Sequence, residues 1–98
     1  MDIIKTLNAN ALKLDIVGRL DTSTAPALDA EIKEIGEDVT ELVLDLGQLD
    51  YISSAGLRVV LATQKKMNKQ GAMKVVNVNE DVMEIFEITG FSDILTIE

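Results

Sequence analysis

The chain has 98 residues, 47% of them hydrophobic but only 3% aromatic, which is room for one domain, residues 1–98, around an aliphatic core. It contains neither cysteine nor histidine, so disulfides, thiol catalysis, Ser-His-Asp triads and the usual zinc or transition-metal sites are excluded. A formal charge of −8, from 17 acidic and 9 basic residues, repels phosphate backbones and argues against direct nucleic-acid binding.

Met1–Lys5 lacks the basic start and long apolar run of a signal peptide. No apolar stretch approaches the ~20 residues that span a bilayer, so a soluble, cytoplasmic protein without membrane contact is expected. Ile3–Leu7 reads as a short strand, followed by a turn at Asn8-Ala9-Asn10. Leu12-Lys13-Leu14-Asp15-Ile16 alternates apolar and polar residues, the period of a half-buried strand. The short connection predicts a hairpin, with Gly18 breaking the pattern.

Thr22, Ser23 and Thr24 offer capping hydroxyls and Pro26 suits a first helical turn. Leu28, Ile32 and Ile35 follow at helical spacing, and Gly36 is the expected left-handed cap. Leu42–Leu46 is nearly all apolar, as in a strand covered on both faces. Gly47–Ile52 then leads to a serine pair and a second helix, Ser54 to Gln70, striped by Leu57, Val60, Leu61, Gln64 and Met67 and stopped by Gly71. Its lysines Lys65, Lys66 and Lys69 are the one basic cluster and read as a solvated face. Met73–Val78 is a further strand. Asn79 caps a third helix with Glu80 and Asp81 in its first turn, Val82, Ile85 and Phe86 on its buried side, and Gly90 at its end. Ile94–Ile97 reads as a last strand. The order is β-β-α-β-α-β-α-β, an α/β fold with a mixed, mostly parallel sheet, and the three helices leave one sheet face thinly covered.

The chemistry-bearing stretch is Ser53-Ser54-Ala55-Gly56-Leu57-Arg58, where a strand runs through a loop straight into a helix. In the simplest reading one serine caps the helix. The same position also suits a phosphate, which free N–H groups and the helix dipole would stabilise while adding roughly −1.5 to −2 charge. Gly56, lacking a side chain, would let a partner's backbone approach. No phosphate-binding loop, metal-ligand set or catalytic constellation is present, so no enzymatic activity, cofactor or metal is expected.

Leu49-x-x-Ile52-Ser53-Ser54-Ala55-Gly56-Leu57-Arg58-Val59-Val60-Leu61 resembles the signature of STAS domains, closest to anti-sigma factor antagonists of the SpoIIAA/RsbV kind. Gly18-Arg19-Leu20-Asp21 is similar to the family's Gly-x-Leu-Asp, and Phe86-Glu87-Ile88-Thr89-Gly90-Phe91 to its late-helix element. The resemblance implies the STAS fold and a phosphorylation site two residues before Gly56, at Ser54. Ser53 stands where the family often has Asp and is the alternative site. The implied partner surface is Asp21, Thr22, Ser23, Ser53, Ser54, Ala55, Gly56, Leu57 and Arg58.

The mechanism implied is partner switching. Unphosphorylated, the chain binds an anti-sigma factor that is also a serine kinase with a GHKL-type ATP site, freeing the sigma factor. Phosphorylation dissociates the complex, and a PP2C-type phosphatase resets it. A STAS module acting on a non-sigma partner, or a structural STAS subunit of a transport complex, is the alternative. Similar proteins continue past the last strand into another helix, whereas this sequence stops at Glu98, so Phe91, Ile94 and Leu95 are expected to be partly exposed.

Overall fold

The computed structural model describes residues 1–98. Its spine is one long strand. β1 (Asp2–Asn8) and β2 (Ala11–Leu20) form an antiparallel hairpin in continuous register from Asp2↔Val17 to Asn8↔Ala11. The first half of β2 pairs in parallel with β3 (Glu41–Asp45), and β3 in turn with β5 (Ala72–Val76). The last residues of β2, Gly18–Leu20, pair instead with β4 (Leu49–Ile52), again in parallel. The sheet is thus mixed and mostly parallel. Between them run the helices α1 (Ala25–Lys33), α2 (Ser54–Gln70) and α3 (Glu80–Thr89), and a single 3₁₀ turn, Phe91–Asp93, follows.

Strand alternation decides where the core sits. Leu12, Leu14 and Ile16 of β2, Leu42 and Leu44 of β3, and Met73 and Val75 of β5 are buried on one face. They pack against Leu28 and Ile32 of α1, Leu57, Val60 and Met67 of α2, and Val82 and Phe86 of α3 in one cluster of 22 residues. The opposite face carries Lys13, Asp15, Asp45 and Lys74, with Lys13 Nζ 3.4 Å from Asp45. It is the thinly covered face expected from three helices.

Several expectations are corrected. The second strand does not stop at Gly18: it runs through, Gly18 taking φ +101°, with a register shift that leaves Asp50 as the extra residue facing β2. Gly36 does not cap α1, which ends at Lys33. Its Ile32 carbonyl accepts from Ile35 N–H at 3.1 Å and from Lys66 Nζ at 3.0 Å, and Gln70 Nε2 ties down the carbonyls of Gly36 and Val39. Lys66 is therefore a structural clamp rather than part of a solvated face. Leu49–Ile52 is a strand, which places a β–β step before α2. The closing strand Ile94–Ile97 shrinks to one bridge, Val75↔Ile97. Phe91 is half-buried and Ile94 exposed as expected, but Leu95 is buried. No helix is long and apolar enough to cross a membrane.

Candidate functional site

The two serines sit where β4 hands over to α2, and the fold treats them differently. Ser53 is extended (φ −96°, ψ 175°) and is the N-cap. Its N–H donates to the Leu20 carbonyl at 2.9 Å, its Oγ accepts from the Gly56 N–H at 3.3 Å, and its carbonyl accepts from Leu57 N–H at 2.9 Å. Ser53 is thus bound on three sides. Ser54 opens the helix, is exposed, and its hydroxyl has no partner in the fold. The N–H groups of Ser54 and Ala55 are the unpaired donors of the first turn, as helix geometry requires. Arg58, exposed and in no ion pair, lies one turn along the same helical face.

Gly56 and Leu57 are buried. A Cβ at Gly56 would stand 2.7 Å from Leu20 Cγ and 3.0 Å from both Ile52 Cγ1 and the Leu20 carbonyl oxygen. The absent side chain lets α2 settle on β2 and leaves no space for an incoming backbone. Of the nine residues named for the surface, Ser54, Arg58, Thr22 and Ser23 are exposed, while Ser53, Ala55 and Asp21 are partly so.

The neighbouring loop is built by Asp21. Its Oδ1 accepts from Ser23 Oγ at 2.7 Å, Ser23 N–H at 2.9 Å and Thr24 N–H at 3.1 Å, and its carbonyl accepts from Ala25 N–H at 2.8 Å. The hydroxyl of Ser23, with the backbone donors behind it, holds the Asp21 carboxyl below the usual carboxylate range. The expected capping hydroxyls are therefore not the organisers: Thr24 is the N-cap residue but caps nothing, and its Oγ1 donates to the Arg19 carbonyl at 2.8 Å. Arg19 completes this corner, its guanidinium 4.4 Å above the Tyr51 ring and its Nε 3.7 Å from Asp21.

Between α1 and α2 lies an open groove of ≈ 260 Å³, lined by Thr22, Ala25, Pro26, Asp29, Ala55 and Val59. Sequence reasoning missed Ala25, Pro26, Asp29 and Val59. The signal was the helical spacing of Thr22, Pro26 and Asp29, with Ala25 beside them, opposite Ala55 and Val59 one turn apart. No group of three or more acidic side chains converges on a point that would hold a metal ion. What the site offers is an exposed hydroxyl beside a hydrogen-bonded N-cap, two free N–H groups and an unpaired arginine one turn along the helix.

The STAS domain family model matches residues 2–98. The anti-sigma-B factor antagonist of Bacillus subtilis (strain 168) is 34% identical over 91 residues, covering 92% of this chain and 84% of its own. The chain belongs to the STAS domain family. The fold agrees: SpoIIAA in its unphosphorylated form superposes with a TM-score of 0.78 at 16% identity, over 99% of this chain and 87% of its own. The Bacillus SpoIIAA structure in the phosphorylated form gives 0.77 at 16% identity, over 99% and 91%. This STAS domain thus fits both forms of that protein equally well.

Proposed function

We propose that this STAS domain is an anti-sigma factor antagonist worked by phosphorylation of Ser54. The observation that carries the reading is the division of labour between the serines: the Ser53 hydroxyl is engaged by the Gly56 N–H, while that of Ser54 is exposed and free. The Asp often found at the first position in the family and the Ser found here are both good N-caps, so the departure keeps the helix start intact. A phosphate on Ser54 would meet the unpaired N–H groups of the first turn and the Arg58 side chain one turn on, and would remain on the surface.

Unphosphorylated, the face formed by the Asp21–Ser23 loop, Ser54, Ala55 and Arg58 binds an anti-sigma factor that is itself a GHKL-type serine kinase. Transfer of phosphate to Ser54 adds roughly −1.5 to −2 charge at the centre of that face and dissociates the pair. A PP2C-type phosphatase restores the binding form. The near-equal fit to the two forms of SpoIIAA supports a change of surface chemistry with the fold kept. A differential of ~2.8 kcal/mol between the two states is a hundredfold change in affinity.

The test is to incubate the protein with ATP and the kinase-type anti-sigma factor, locate the phosphate by mass spectrometry, and measure binding of variants. Label on Ser54, full binding by Ser54→Ala and binding weakened at least tenfold by Ser54→Asp are expected. Label on Ser53 alone, or equal binding by Ser54→Ala and Ser54→Asp, would overturn the assignment.

A further inference from the structure

β1 is the outer strand of the sheet, paired with β2 on one side only. The two-residue turn at Ala9-Asn10 makes Asn8↔Ala11 the hydrogen-bonded pair that closes the hairpin. Such pairs alternate along an antiparallel ladder. Asp2, Ile4, Thr6 and Asn8 therefore bond β2, and the N–H and C=O groups of Ile3, Lys5 and Leu7 face outward along a free edge.

Proteins usually blunt such an edge with charge, proline, a bulge or a covering segment. Here the register is unbroken over seven residues, the strand has no proline, and its one lysine is drawn back to Glu31 of α1 at 2.8 Å. Ile4 and Leu7 are 53% and 63% exposed, one on each face of the sheet, so an added strand would cover both. On the helix side the edge opens into a groove of ≈ 300 Å³ between β1 and the end of α1. Leu7, Leu12, Ile35 and Val39 line it, with Glu34 and Asp38 also at its wall.

The geometry points to this edge as a docking site for an extended segment of another protein, added to the sheet beside β1, in which apolar residues and lysine or arginine take turns at every second position and so share the face turned to the groove. The backbone groups of Ile3, Lys5 and Leu7 supply the pairing, the groove takes the apolar side chains, and Glu34 and Asp38 select the basic ones. A second copy of this chain fits less well. It brings another −8 and the same acidic wall, and the self-pairing that overlaps all of β1 sets Lys5 against Lys5. The edge lies apart from the serines: Leu7 pairs with Leu12, and Ser53 bonds Leu20, about 26 Å further along β2. Docking here is independent of the state of Ser54.

The probe is a capped ten-residue peptide with valine and lysine in turn at every second position and threonine between them, added to the full chain while amide exchange is followed by NMR. At saturation the Ile3, Lys5 and Leu7 amides should exchange at least tenfold more slowly, with Ile4 and Thr6 unchanged. Leu7→Ser, or Glu34→Lys with Asp38→Lys, should weaken binding at least tenfold, and Ser54→Asp should leave it unaltered. Absence of slowing at 1 mM peptide (about the weakest affinity worth the name) would overturn the proposal. So would equal binding by the same peptide with glutamate in place of each lysine, or a dimer of the chain alone that Leu7→Ser dissolves.

Discussion

Ser53 and Ser54 are chemically identical neighbours, and the backbone alone makes them different. Ser53→Ala removes the acceptor for the Gly56 N–H and should cost about 1 kcal/mol. Ser54→Ala touches no bond in the fold and should stay within ~0.5 kcal/mol of the parent. Urea denaturation of the two variants reads this difference without any partner present. Asp45 offers a second test at this scale. Its partial burial works to raise its pKa, but donors from Gly47 N–H at 2.9 Å and Asn77 Nδ2 at 3.0 Å, with Lys13 at 3.4 Å, outweigh that and hold it below the usual carboxylate range. A depressed folded-state pKa adds stability above the unfolded value of ~3.9 and loses it as pH falls through the folded one. The gap in stability between the parent and Asp45→Asn should therefore be constant near neutrality and close below about pH 4, as followed by denaturation at stepped pH.

Among the elements, α2 shows how close approach sets the fold. A Cβ at Gly71 would lie 1.9 Å from the Thr40 carbonyl oxygen, a backbone atom that cannot swing aside. At Gly56 the nearest obstacle is the Leu20 side chain at 2.7 Å. Gly71→Ala should cost roughly 3 kcal/mol, whereas at Gly56 the strain is partly offset by the ~1 kcal/mol better helix propensity of alanine. Comparing the urea midpoints of the two variants checks the order, and a milder Gly71→Ala would contradict it. The α2 boundaries were legible in the sequence because Ser53, the apolar stripe and Gly71 are all local signals. The end of α1 was not, because Lys66, more than thirty residues away, supports the Ile32 carbonyl, and Gln70 holds the carbonyls of Gly36 and Val39 in the loop that follows. β4 was hidden for a related reason: in its four residues the buried Leu49 and Ile52 flank two exposed ones, and the extra Asp50 destroys the period of two. The serine pair, Asp21 and Arg58 could be read from sequence. Which serine is bound, and that Gly56 serves the interior, needed the packing of β2 against α2.

At the scale of the whole molecule, the helices shield one sheet face, and the chain end contributes only a thin seam. Val75 N–H donates to the Thr96 carbonyl and Glu98 N–H to the Val75 carbonyl, while the Thr96 and Ile97 amides have no backbone acceptor. Exchange at Thr96 and Ile97 should be fast and at Val75 slow, and full protection of both terminal amides would show a true closing strand there. The stacked rings of Phe86 and Phe91, 6.3 Å apart, anchor the turn that begins this segment. The threefold anchoring of Ser53 reaches furthest. Because β4, β2 and α2 all converge on that residue, the hydroxyl next to it stands on backbone tied from three sides. Under the proposed function, a phosphate added there and then removed would leave these anchoring bonds as they were. Under the proposed cycle its response would then track only the current balance of kinase and phosphatase, free of hysteresis.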